Sequence, residues 1–192
     1  MVDFLATRKR LALERLSEYI FCDEQRVCYT LFNQRMVASV SRDLRMGETV
    51  RIHHAQQEPS STYYDVKVVK LFRTVGLAIF ESEVDLCTHA PGLEGPQPGY
   101  DYYQAGISAS QSPTFNEGII ISVTSPKEIH VRGSLVSASN DQLGGGAFNP
   151  RGHSLYGICV GHEKVCVGHE TDADAEPKSY KSYISSVACF FL

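Results

Sequence analysis

Cys159-Val160-Gly161-His162-Glu163 is followed closely by Cys166-Val167-Gly168-His169-Glu170. Two thiols and two imidazoles at this spacing match the donor set of a tetrahedral zinc site. Side chains alternate along a strand, so Cys159, His162, Cys166 and His169 converge only if the turns near Gly161 and Gly168 fold them together. The other reading is two buried cysteines and two histidines facing water. A second group is His53-His54, which with Asp65 would make a general base and its orienting carboxylate. A nucleophile would have to come from Ser137, Ser139 or Cys159, none of which sits at the apex of the nearby glycine loop. The plainer reading places the histidine pair at a strand end in solvent. The third group is the loop itself, Gln142-Leu143-Gly144-Gly145-Gly146. Its glycines suit a tight backbone turn before Ala147-Phe148.

These groups are carried by a chain that reads as mostly β. Residues 3–20 have helical apolar spacing, with Asp3 as a cap. Residues 26–32 and 36–40 are rich in Val, Tyr, Thr and Phe around the Asn33-Gln34 turn and predict a hairpin. Strands are predicted over 49–53, 63–72, 77–82, 103–108, 118–123, 128–134 and 154–161, with a short one near 165–167. Pro91, Gly92, Gly95, Pro96, Pro98 and Gly99 mark a connector between two halves. Tyr100, Tyr102 and Tyr103 follow it as an aromatic cluster that can meet a partner or fill the space between the halves. Pro177 is positioned to open a C-terminal helix, with Tyr180, Tyr183, Ile184, Val187, Ala188 and Phe191 as its apolar stripe. Many short strands with a closing helix predict an all-β barrel protein.

Composition limits the function classes. The chain has 192 residues, 43% hydrophobic, with 18 basic and 22 acidic side chains, a net charge of −4. Its pI of about 6.0 gives no electrostatic case for nucleic acid or an anionic membrane. The Arg8-Lys9-Arg10 run reads as a solvated helix face. No apolar run is long enough to span a bilayer, and the charged first 16 residues do not read as a secretory signal. An intracellular location is therefore expected, with the six cysteines reduced and mostly buried. No cofactor is expected.

Three segments resemble the trypsin-like (chymotrypsin-fold) serine protease superfamily. In that family a strand ending Thr-Ala-Ala-His-Val carries the general base; here it reads Met36-Val37-Ala38-Ser39-Val40, with Ser39 at the histidine position. The family's Asp-Leu-Ala-Leu-Leu carries the triad acid; here it reads Gly76-Leu77-Ala78-Ile79-Phe80, with Gly76 in place of Asp. The nucleophile loop precedes a run of glycines; here Leu143 stands where the serine would be, before Gly144-Gly145-Gly146. The order base, acid, nucleophile is kept. The resemblance implies two six-stranded antiparallel barrels with an N-terminal and a C-terminal helix. It divides the chain into a helical extension over 1–22, a first barrel over 23–90, a linker over 91–103 and a second barrel with the helix over 104–192. It further implies that Gln142, Gly144, Gly145 and Gly146 form a binding-cleft loop. A triad needs a hydroxyl, an imidazole and a carboxylate acting together. With Ser39, Gly76 and Leu143 at those positions, the resemblance implies a non-enzyme: a protein- or peptide-binding or scaffold subunit, on its own or within a larger complex. A peptidase with a rearranged Ser or Cys nucleophile and an unrelated all-β interaction protein held by zinc are the alternatives.

Overall fold

A computed structural model describes residues 4–55, 62–123, 130–135, 142–165 and 179–185. Helix α1, Phe4–Ser17, opens the chain. It buries Ala12 and Leu16 on one side and leaves Leu5 and Leu11 in solvent. Ser17 Oγ donates to the Leu13 carbonyl one turn back at 2.8 Å. Lys9 forms an ion pair with Glu117, which anchors the helix on the second half of the chain. None of the described helices is long and apolar enough to cross a membrane.

Six strands then close a barrel: β1 Ile20–Cys22, β2 Cys28–Asn33, β3 Met36–Val40, β4 Thr49–His54, β5 Tyr63–Phe72 and β6 Leu77–Ser82. Their order is β1-β2-β3-β6-β5-β4, with β1 paired back to β4, all antiparallel. The barrel thus takes in residues 20–22, which lie in the helical extension of the sequence reading. β5 shows why the pattern codes for a barrel wall. Val66 and Val68 face inward, and Asp65 and Lys67, which alternate with them, face water. β2 and β3 differ, being buried at nearly every position. Their second face is covered by the other half of the molecule.

That half begins with the short β7, Gly92–Leu93, inside the Pro/Gly connector. It continues through β8 Asp101–Ile107, β9 Pro113–Val123, β10 His130–Leu135, β11 Gly146–Phe148, β12 Ser154–Val165 and β13 Ser179–Ser185. The sheet order is β11-β8-β9-β10-β13-β12-β7, and an added β11–β12 pairing closes the six long-range neighbours into a second barrel. β7 is an extra parallel strand on the start of β12. The two expected barrels are present. β8 serves two cores: Tyr103, Ala105 and Ile107 join the apolar cluster shared with the first barrel, and Tyr102 points into the second barrel with Ile120, Ala147, Tyr156 and Ile184. Of the tyrosines after the connector, only Tyr100 stays exposed, beside the Tyr156 ring at 6.3 Å.

The C-terminal helix predicted from Pro177 onward is corrected over residues 179–185, which form β13. The strand fills the gap between β10 and β12 and supplies a ladder to both. A tertiary ladder that satisfies two otherwise open edges outweighs an apolar stripe that reads equally well as helix. Residues 186–192 lie outside the described part. The strand predicted over 154–161 runs on to Val165, bulged between Cys159 and Gly161, and so reaches the start of the short strand predicted near 165–167; residues 166 and 167 lie outside the described part.

Candidate functional site at the barrel junction

The junction is built from β2 and β3 of the first barrel and residues 142–146 of the second. Ser39 is fully buried on β3, and its hydroxyl donates to the Cys28 carbonyl at 2.6 Å. Gly76 follows a short 3-10 turn, Arg73–Val75, and takes the left-handed conformation at φ 71°. That backbone favours glycine over any residue with a Cβ. Its carbonyl accepts from Ser41 N at 2.8 Å, and a Cβ built on it would lie 3.5 Å from Val160 of β12. Leu143 is half-buried and packs on the cluster shared by the two barrels. Gln142 beside it is buried, with its Oε1 lacking a hydrogen-bond partner.

The glycine loop is held from both sides. Gly144 N donates to Cys159 O and Cys159 N to Gly145 O, both at 2.9 Å, and Gly145 N donates to Gln142 O at 2.9 Å. Thr30 Oγ1 of β2 donates to Gly144 O at 3.1 Å, and Gln104 Nε2 of β8 to Gly145 O at 2.9 Å. A Cβ on Gly144 would collide with the Cys28 carbonyl and the Ser39 hydroxyl. The backbone of one barrel therefore touches the backbone of the other, which only glycine permits. Ser39, Gly76 and the 142–146 loop all lie on this junction. None offers an imidazole or carboxylate, and the Ser39 proton is committed to a carbonyl. Ser137 and Ser139 lie outside the described residues.

A buried imidazole beside a thiol lies elsewhere. His53 is 2% exposed, which corrects the expectation that the pair faces water. Its Nε2 lies 3.5 Å from Cys22 Sγ and its Nδ1 3.1 Å from the His54 carbonyl. Nδ1–H donates to that carbonyl, which leaves Nε2 as the acceptor facing the thiol. Asp65, its proposed carboxylate, is 3.2 Å from Arg51 instead. The Cys22–His53 contact follows from the β1–β4 register, Cys22 opposite His53. No local motif signals it, because the two residues are joined only by the barrel closing. Burial, with a smaller push from Asp23, raises the Cys22 thiol to about 12, so at neutral pH it is a thiol and not a thiolate.

Of the zinc set, Cys159 is buried, and burial raises its thiol to about 12. His162 lies three residues along the same strand. Cys166 and His169 are outside the described residues. Among the described residues, no three His, Cys, Asp or Glu side chains are grouped to hold a metal.

His54 provides a pH test of this packing. It is half-buried, lies edge-on to Phe21 at 5.1 Å, and its Nε2 is 3.0 Å from Glu18 O. Burial lowers its pKa from the ordinary imidazole value. The unfolded chain then binds the proton more readily, so this contribution is full above about pH 6.5 and is lost as pH falls through the folded-state value. Urea unfolding of the native chain and of His54→Gln at a series of pH values should give a shallower acid loss for the variant. Equal slopes would contradict the assignment.

No protein-family model matches the sequence, and no curated protein matches it. Solved structures do. The MamO protease domain from Magnetospirillum magneticum superposes with a TM-score of 0.68 at 12% identity, covering 93% of this chain and 97% of that one. The Rv3671c protease from M. tuberculosis, described as an active form, gives 0.66 at 11% identity, over 95% of this chain and 82% of that one. A serine endoprotease from Yersinia pestis gives 0.65 at 11%, over 95% of this chain and 64% of that one. The chain has the trypsin-like double-barrel fold. These neighbours also correct the expectation of a non-enzyme. They are protease domains, one of them in an active form, and at 11–12% identity they show the fold alone. The residues at 39, 76 and 143 were too narrow a basis for calling the chain a non-enzyme.

Proposed function

We propose that this trypsin-like domain recognises an extended polypeptide, taken up as an added strand on β12 beside the barrel junction. The observation that carries the reading is the uneven pairing of β12. At Leu155 the strand has β7 on one side and β11 on the other, and at Ile158 it has β11 on one side and β13 on the other. Cys159 is still bonded to the glycine loop, and from Val160 to Val165 only β13 is paired among the described strands. A strand edge with free N–H and C=O groups is a template for an incoming chain. Val160 and Gly161 at the start of this edge are half-exposed, and Val160 meets Gly76 across the junction. A peptide on that edge would run past the Gly144–Gly146 loop, in reach of both barrels. Peptide recognition of this kind needs backbone pairing and side-chain pockets, and does not depend on the side chains at 39, 76 and 143.

The test is selection of peptides from a random displayed library on the full chain, followed by hydrogen exchange on the complex. Bound peptide should slow exchange of amides within 160–165 by about tenfold or more. Protection confined to other strands, with these amides unchanged, would refute the assignment of the site. Incubating the selected peptides with the chain and reading their masses measures cleavage in the same experiment.

A further inference from the structure

We infer that Cys22 and Cys28 are a modification site: a cross-strand thiol pair that closes to a reversible disulfide under a hydroperoxide. The two residues are direct partners in the β1–β2 ladder. The surrounding hydrogen bonds fix the kind of pair. Leu31 N donates to Tyr19 O at 2.8 Å and Asp23 N to Val27 O at 3.3 Å, so residues 19 and 23 bond toward β2. Ala55 N donates to Ile20 O at 3.0 Å, so the even-numbered residues of β1 bond the other way, toward β4. Cys22 and Cys28 are therefore a non-hydrogen-bonded pair, whose Cα atoms stand about 4.5 Å apart with both side chains on one face. Disulfides span Cα separations of about 4.4 to 6.8 Å. Rotation about the two side chains is enough to bring the sulfurs together.

The hairpin is preset for this. Asp23 accepts from Val27 N at 2.9 Å and from Tyr29 OH at 3.0 Å, which clamps the turn just beyond the pair. Glu24, Gln25 and Arg26 at the tip are exposed, so opening of the tip alone admits a small oxidant. With the tip open and water at the thiol, so that burial no longer holds the proton on, His53 Nε2 takes the Cys22 proton. The thiolate sulfur attacks one peroxide oxygen and the O–O bond breaks. The departing hydroxide takes the proton from His53 and leaves as water, and Cys22 becomes a sulfenic acid. The Cys28 sulfur then attacks the Cys22 sulfur, the S–O bond breaks, and hydroxide leaves with the Cys28 proton as a second water. Two thiols are oxidised by two electrons and one hydroperoxide is reduced. The bridge ties β1 to β2 at the residue whose carbonyl abuts Gly144, so the oxidation is felt at the barrel junction.

Trypsin reads the result directly, because Arg26 lies between the two cysteines. The full chain, reduced and then treated with hydrogen peroxide, is alkylated and digested without reductant. Peptide 16–26 should appear joined to peptide 27–35, about 2 Da lighter than their sum, and should separate on adding dithiothreitol. Cys28→Ser should abolish the linked species and leave a dimedone-reactive sulfenic acid at Cys22. His53→Gln should slow linkage on the order of tenfold; an unchanged rate would overturn the role given to His53. Cys159 falls in a different peptide, 152–164, so a Cys28–Cys159 link is distinguishable and would overturn the pairing. So would the absence of any linked species in a chain whose circular dichroism shows it folded, or linkage only in urea.

Discussion

Replacing Gly144 by alanine should lower the free energy of unfolding by about 2 to 4 kcal/mol. Two costs add. The residue sits at φ 85°, where a Cβ is strained. Its Cβ would also enter the space held by the Cys28 carbonyl and the Ser39 hydroxyl, which belong to strands of the other barrel. Neither can retreat cheaply, since Ser39 is bonded to that same carbonyl and both are buried. Gly99 provides the control. It has φ 86° with nothing within 4 Å of an added Cβ, so Gly99→Ala should cost only the backbone strain, about 1 to 2 kcal/mol. The difference between the two variants measures the contact between barrels. The chain contains no tryptophan, so denaturant unfolding is best followed by circular dichroism. Equal losses at the two glycines would show that the barrels do not meet at this loop.

Phe148→Ala should cost about 3 to 5 kcal/mol, the largest effect expected of a single truncation here. Phe148 ends β11, is fully buried, and belongs to the cluster shared by both barrels. Its ring stacks on Tyr19 at 6.3 Å, just beyond α1, and abuts Gly146 of its own strand. Removing it opens a cavity between the barrels, where collapse would require two closed sheets to move together. The variant should still unfold in one transition, because the remaining shared cluster couples the halves. Phe148→Leu, which keeps most of the volume, should lose much less. A loss below about 1 kcal/mol for the alanine variant would show that the ring does not join the halves.

The fold was largely legible in the residues. Short β-branched and aromatic runs between Gly, Pro and Asn turns located most strands, because alternation and turn chemistry are local properties. The glycine loop was legible for the same reason. The run at 179–185 misled, since Tyr180, Tyr183 and Ile184 satisfy a helical stripe while the backbone is needed as a ladder between β10 and β12. His53 misled in the opposite direction. A histidine pair at a predicted strand end reads as solvated, and only closure of β1 on β4 places the ring against Cys22. The side chains at 39, 76 and 143 were visible in the sequence, yet they described three positions and not the activity of a whole fold.

By itself the sequence determined that this chain is mostly short strands, set in two halves on either side of a Pro/Gly connector, with a glycine turn in the second half. Those are consequences of side-chain period and backbone freedom, which each segment carries alone. Tertiary structure decided which side chains meet: Cys22 with Cys28 and His53, Gly144 with Cys28 and Ser39, Val160 with Gly76. It also decided that residues 160–165 of β12 pair on one side only among the described strands. Register and barrel closure set these contacts, and both depend on strands far apart in the chain finding one another, which no local pattern specifies.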